Sequence, residues 1–167
     1  MKEFPTIGYF GLRDFDPAYA RNRVIISGLR QNGATVILCR TAERGLPAIW
    51  RLIKEFNANK HKFDAVIIGY SDSRLPVIII KSLFRKLVIW DAFYSIYDAY
   101  VYDRGLVKPR SLKALYYWLL EWLNCWLADK ILLDTSAHID YFVKTFKVRP
   151  AKFIKVLVGA DDAVFHS

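Results

Sequence analysis

Cysteine is scarce in this chain. Cys39 and Cys125 are the only two among 167 residues, far apart and each in apolar surroundings, so no paired spacing suggests a zinc site or a redox motif, and a reducing cytosol fits them best. Histidine is also thin at three residues, and His138 has no metal-ligand neighbour at a useful spacing, so no metal is expected. Long apolar runs are missing. "PVIIIKSLFRKLVIW" and "LYYWLLEWLNCWLA" both fall short of the ~20 residues that span a bilayer, and polar groups interrupt both. The N-terminus "MKEFPTIGYFG" lacks the apolar core and cleavage site of a signal peptide. Internal repeats, low-complexity segments and linkers are absent too, which leaves a single domain as the economical reading.

What is present is apolar, aromatic and basic. Hydrophobic residues make up 54% of the chain and charged residues 25%, enough for one domain with a sizeable core and too apolar for a disordered tail. Acidic residues are the minority, 16 against 25 Lys and Arg, for a net charge of +9. Such a balance favours an anionic partner: nucleic acid, an anionic membrane surface or a phosphorylated substrate. Nucleic acid is not expected, because no basic recognition helix or aromatic β-platform can be recognised. Five Trp among 16% aromatic residues exceed the usual needs of a small core, and some of these rings are candidates for a membrane interface or another domain.

Apolar runs rich in β-branched and aromatic residues recur as "TIGYFG", "ATVILC", "DAVIIGY", "KLVIWDAF", "KILLDTS" and "FIKVLVG", with helical periodicity between them. Continuous apolar strands are buried on both sides, so the alternation predicts an α/β fold: one Rossmann-like domain, its sheet mainly parallel, with helices on both faces. Pro17 and Ala18 are read as opening the first helix, with Val24, Ile25, Gly28 and Leu29 on its inner face and Gly33 closing it. Later helices are expected from near Leu46, Leu75, Ser111 and Ser136, the two serines as N-caps. The helix from about Leu112 to Ala128 is apolar almost all round. Leu112, Leu115, Tyr116, Leu119, Leu123, Trp126 and Leu127 form one face, and Trp118 and Trp122 widen it, so it needs cover on more than one side.

Three stretches carry candidate chemistry. In "GYFGLRDFDPAYARNR", Gly8 and Gly11 permit close backbone approach ahead of a helix N-terminus, and Arg13, Arg21 and Arg23 could supplement an anion site, although the full dinucleotide fingerprint is absent. "WDAFYSIYDAYVYDRG" follows the fourth strand, at the strand ends where open α/β sheets place ligands. Its Asp91, Tyr94, Ser95, Tyr97, Asp98, Asp103 and Arg104 suit a sugar, whose hydroxyls meet carboxylates and whose apolar faces stack on rings; a structural Asp103–Arg104 pairing is the plainer alternative. In "DTSAHIDYF", Ser136, His138 and Asp140 do not make a nucleophilic triad, because residues two apart on a helix diverge. Asp134, Thr135 and Ser136 are read as helix-capping residues.

Taken together, "GYFG", "DPAYARNRVIISGLRQNGATV", "WDAFYSIYDAYVYDRG", "ADKILLDTSAHIDYF" and "VLVGADDAVF" resemble the N-terminal half of a GT-B glycosyltransferase of the retaining family 4. The most specific element is a Gly-x-Asp-x-x-x-Phe stretch, filled here by Gly159, Asp161 and Phe165, where that family's first domain passes to its second. The resemblance implies that residues 1–167 form the acceptor-side Rossmann-like domain and that the donor-binding C-terminal domain lies outside them. It places Gly11 and Arg13 near the donor phosphates, and Asp91, Tyr94, Ser95, Asp98 and Arg104 on the acceptor side. Asp91 stands where the family commonly has His. The family's E-x7-E pair belongs to the second domain and is absent here.

The implied function is transfer of a sugar from a nucleotide-sugar co-substrate to a lipid-linked or polysaccharide acceptor, with no cofactor and no metal. The expected location is cytoplasmic, peripheral at the inner face of the membrane on anionic lipid. Activity is expected to require the missing C-terminal half or a separate donor-binding subunit, and uncovered apolar surface is expected to favour self-association. A non-enzymatic α/β binding module, or a subunit of a split transferase, is the alternative.

Overall fold

The computed structural model describes residues 4–12, 15–41, 43, 45–71 and 73–159. Arg13, Asp161 and Phe165 lie outside them. All six apolar runs become strands: β1 Thr6–Gly11, β2 Thr35–Arg40, β3 Ala65–Ile68, β4 Leu87–Phe93, β5 Lys130–Leu133 and β6 Phe153–Lys155. They form one six-stranded sheet in the order β2-β1-β3-β4-β5-β6, and every pairing is parallel. The helices are α1 Ala20–Gln31, α2 Gly45–Asn59, α3 Leu75–Leu83, the short α4 Ile96–Asp98, α5 Leu112–Leu127 and α6 Ser136–Phe146. A π-helical turn, Ala99–Asp103, continues α4.

The register explains the main core. Cys39, Phe10, Ile68, Trp90, Ile131 and Phe153 sit side by side across all six strands. The first five belong to, and Phe153 packs against, the cluster that α2, α3, α5 and α6 cover through Leu52, Phe56, Val77, Ile80, Cys125, Phe142 and Phe146. The opposite face is smaller, and α1 covers it through Ile26, Ile25 and Leu29 above Tyr9 and Ile67. Apolar cover fades along that face, where Ile89 is followed by Lys130 on the next strand. Helices therefore lie on both faces of a parallel sheet, as the alternation requires.

Helix boundaries follow local chemistry. Asp16 accepts the Ala18 N–H on its side chain at 2.8 Å and the Tyr19 N–H on its carbonyl at 3.2 Å. Pro17–Tyr19 is thereby held as a turn, and α1 begins at Ala20 rather than at Pro17. Its inner face shifts in part: Arg21, Asn22 and Ile26 are the buried residues, while the expected Ile25 and Leu29 pack on the same core only partly buried. Gly33, at φ 86°, ends the helix in the left-handed region where a side chain would be strained. Ser111 caps α5 by accepting from the Ala114 N–H. For α6 the cap is Thr135, which accepts from the His138 N–H, and Ser136 is the first helical residue.

The largest departure is α5. Its buried residues are Ala114, Glu121, Asn124 and Cys125, while Leu112, Leu115, Tyr116, Leu119, Leu123 and Trp126 are 36–87% exposed. Most of the predicted apolar face points outward, Trp118, Trp122 and Leu127 pack against the core beside Cys125, and the polar Glu121 and Asn124 point in. At its C-terminus, Lys152 donates to the carbonyls of Cys125, Trp126 and Ala128 at 3.0, 2.7 and 2.8 Å, satisfying carbonyls the helix leaves without partners and opposing its dipole. Lys152→Met is therefore expected to lower stability by about 1–2 kcal/mol, read as a lower urea midpoint at unchanged slope. No shift in the midpoint would mean the cap contributes nothing.

Burial pushes both thiols up, Cys39 to about 12 and Cys125 well above its ordinary value. Neither is a candidate nucleophile, because the reactive thiolate is disfavoured at both. Among the described residues no helix is long and apolar enough to cross a membrane, and no cluster of His, Cys, Asp or Glu could hold a metal ion.

Candidate functional site

In a sheet ordered 2-1-3-4, the crevice at the carboxyl ends of β1 and β3 is the usual ligand position. Here that place is filled from within. Asn22 is fully buried and joins the two loops: its Oδ1 accepts from the Tyr9 hydroxyl at 3.1 Å and the Tyr70 N–H at 3.0 Å, and its Nδ2 donates to the carbonyls of Asp16 and Tyr70. Phe15 lies directly against Gly11, where a Cβ would come within 2.0 Å of its ring. Gly11 thus makes room for the protein's own Phe15. Arg21 does not face a phosphate either. Its Nε donates to both carboxylate oxygens of Asp91 at 2.9 Å, its Nη2 lies 2.7 Å from Asp91 Oδ1, and its Nη1 donates to the Val156 carbonyl at 3.1 Å.

Asp91 itself is fully buried. Burial pushes its carboxyl above the ordinary value, and the hydrogen bond and charge of Arg21, followed by the charge of Arg74, pull it back. Its role in the geometry is to lock α1 onto β4 and the segment beyond β6. Two residues later the strand ends in a γ-turn, closed by the Tyr94 N–H to the Ala92 carbonyl at 2.7 Å, with Phe93 at φ 62°. A bulky residue in this region is strained. The Phe93 ring lies under the Arg21 guanidinium, 4.6 Å from its centroid, and contacts Tyr70 and Tyr94. The register of β4 on β5 shifts at the same place, and Tyr94 is turned toward the cavity described next.

That cavity, of about 420 Å³, opens at the carboxyl ends of β4 and β5, lined by Phe93, Tyr94, Ser95, Asp98, Ala99, Asp103, Arg104, Asp134, His138 and Tyr141. Its size falls in the ~300–1,000 Å³ range of small-molecule sites. Four of the five acceptor-side candidates, Tyr94, Ser95, Asp98 and Arg104, meet here, while Asp91 stays beneath the floor. Ser95 is buried and fully engaged: it donates to Glu121 Oε2 at 2.6 Å and caps α4 by accepting from the Asp98 N–H at 3.0 Å. Glu121 reaches up from α5 to take the Ile96 N–H at 2.8 Å and the Tyr97 N–H at 3.2 Å, and faces Arg74 at 3.3 Å. Arg74 in turn donates to the carbonyls of Ser71 and Tyr94, each at 3.1 Å. A buried carboxylate thus supplies the acceptors that the N-terminus of α4 needs.

The segment read only as a helix cap contributes more than that. Asp134 and His138 lie one turn apart across the start of α6, with His138 Nδ1 2.5 Å from Asp134 Oδ1, so the carboxylate fixes the ring and leaves Nε2 without a protein partner among the described residues. The sequence signal was a carboxylate just ahead of the Thr135 cap with a histidine in the first helical turn, close enough for the Asp134 side chain to fold back onto the ring. Tyr141 is held protonated, because burial first and the nearby Asp98 charge second push its hydroxyl up. Three carboxylates face one guanidinium and one imidazole here. A polyol is therefore a better occupant than a diphosphate: its hydroxyls can donate to carboxylates, whereas phosphates would be repelled.

No family model matches the chain, and no curated protein matches it. Among solved structures it is similar to the crystal structure of Anabaena Alr3699/HepE in complex with UDP and glucose, at a TM-score of 0.55 and 10% sequence identity, over 97% of this chain and 46% of that one. The likeness establishes the fold, and this chain spans somewhat less than half the length of the structure it matches.

Proposed function

We propose that this chain is the acceptor-side domain of a glycosyltransferase, in which a sugar passes from a nucleotide-sugar donor to the hydroxyl of a lipid-linked or polysaccharide acceptor. The observation that carries the reading is the carboxylate-, tyrosine- and histidine-lined cavity at the ends of β4 and β5. Two things support it further: the fold likeness to a protein crystallised with UDP and glucose, and the resemblance of the sequence to the retaining family 4 of GT-B enzymes. In this reading Asp98, Asp103 and Arg104 bind acceptor hydroxyls, Tyr94 offers a ring to an apolar sugar face, and His138 Nε2, oriented by Asp134, accepts a hydrogen bond from the reacting hydroxyl. Asp91, Ser95 and Glu121 are positioning residues. Donor contacts are assigned to a second domain, in the same protein or in a partner subunit, because the acceptor cavity repels a diphosphate and the crevice beside Gly11 is filled. Gly11 and Arg13 would at most border the donor. The site is peripheral to the cytoplasmic face of a membrane.

A two-part experiment tests this. Methyl glycosides titrated into the isotopically labelled domain are expected to shift amides around Tyr94–Arg104 and His138, and His138→Ala or Asp98→Asn to weaken that binding by about tenfold or more, the size of one charge-assisted hydrogen bond. Transfer from a panel of nucleotide sugars is expected only when a donor-side domain is supplied. Multiple turnover by residues 1–167 alone, or glycoside shifts confined to surfaces away from the cavity, would overturn the reading.

A further inference from the structure

From the outward apolar face of α5 we infer a docking surface for an anionic lipid membrane, on which the helix lies flat in the headgroup region. Leu112, Leu115, Tyr116, Leu119, Leu123 and Trp126 recur at helical spacing along its 16 residues, and all are exposed. Large apolar side chains gathered on one face of a folded domain mark a surface that is covered in use. Along its flank the indoles run as a ladder, Trp118 on Trp122 at 6.2 Å and nearly parallel, then Trp122 on Trp126 at 5.9 Å. Trp and Tyr, apolar with one polar edge, settle at the membrane interface.

Charge decides between lipid and a protein partner. Residues 104–128 contain one carboxylate, Glu121, which is buried and spent on Arg74 and α4. The cations of the same segment, Arg104, Lys108, Arg110 and Lys113, are all exposed. The outer face of this segment is therefore apolar and purely cationic, complementary to anionic headgroups. A groove of about 450 Å³ lined by Tyr97, Tyr102, Arg110, Leu112, Leu115 and Trp118 joins this face, and Tyr97 belongs to the loop that also supplies the acceptor cavity. Burial of Glu121 and Asn124 against Arg74 and the α4 segment, and of Cys125 in the core, keeps α5 from leaving the domain, so it can lie on a bilayer and cannot cross one. The inference rests on the proposed function in one respect only: docking would bring the cavity beside a lipid-linked acceptor.

The test uses vesicles that carry no glycolipid, so its result is independent of sugar transfer. The domain is expected to cosediment with phosphatidylcholine vesicles containing 30% phosphatidylglycerol, with a blue shift in tryptophan emission, and to bind pure phosphatidylcholine much less. Leu115→Glu with Leu119→Glu, at positions already half in solvent, is expected to lower partitioning by about tenfold or more while leaving the far-UV spectrum and urea midpoint unchanged. Replacing Lys108, Arg110 and Lys113 by Gln should remove the preference for anionic vesicles, a loss of about 100-fold. Wild-type protein that ignores anionic vesicles, a Glu variant that binds as well as wild type, or a stable dimer in sedimentation that the Glu variant dissolves would each overturn the inference, the last by assigning the face to a second copy of this chain.

Discussion

Asp91→Ala is expected to cost the domain about 3–5 kcal/mol, among the largest losses any single substitution here should produce. Arg21 and Asp91 are both essentially without solvent contact, and removal of the carboxylate strands a guanidinium whose remaining partners among the described residues are the Val156 carbonyl and the Phe93 ring. Water cannot reach it without opening α1 from the sheet. Arg21→Ala should be about as severe, because it leaves a carboxylate that burial already disfavours. The double replacement Arg21→Met with Asp91→Leu is expected to recover most of the loss, since exchange of a buried pair for apolar side chains of similar volume is often close to neutral. Urea unfolding of the four proteins compares the three losses with wild type. If Asp91→Ala loses less than about 1 kcal/mol, the pair is not a lock but a solvated contact.

Glu121→Ala is expected to be comparably costly, about 3–5 kcal/mol, with a second consequence that Asp91→Ala lacks. Glu121 is the acceptor for the Ser95 hydroxyl and the Ile96 and Tyr97 amides as well as the counter-ion of Arg74. Its loss orphans the start of α4, and the loop bearing Tyr94, Asp98 and Arg104 loses its support from below. Glycoside binding at the cavity should fall along with stability, even though Glu121 does not line it. Glu121→Gln is expected to recover only part of both, because the amide keeps one acceptor oxygen but sets a donor against Ser95 and no charge against Arg74. Amide shifts of Ser95–Ala99 and the urea midpoint, measured on the same samples, separate the effects. An Ala variant that loses stability with its cavity shifts intact would show that α4 holds its shape without Glu121.

The sequence by itself determined the six strands, the five long helices and their order, while α4 and the π-helical turn after it were not legible there. Parallel strands buried on both sides must be nearly all apolar, so all six runs could be read directly; Gly33 and Ser111 announced their helix ends through backbone freedom and a side-chain acceptor. It also identified the stretch from Tyr94 to Arg104 as the chemically dense one, since polar and aromatic residues just past an apolar strand fall at the ligand end of such a sheet. The tertiary structure decided which polar residues are consumed and which are offered. Asp91 and Ser95 looked like Asp98 and Arg104 in the sequence, but their hydrogen bonds are taken by Arg21 and Glu121. Arg21 is 70 positions from Asp91 in the chain, and Glu121 is 26 from Ser95. Periodicity carries no trace of such pairs. Gly11 looks like an open cradle in the sequence, but Phe15 fills it, and Asp134, a capping residue by its place in the sequence, lies with His138 in the cavity that the loop after β4 closes. The orientation of α5 was beyond the sequence for the same reason: hydrophobicity says that an apolar face gains by burial, but the inner side went to Glu121 and Asn124 because the site loops above them had amides and a guanidinium to satisfy, and an unmet buried donor costs more than an exposed leucine.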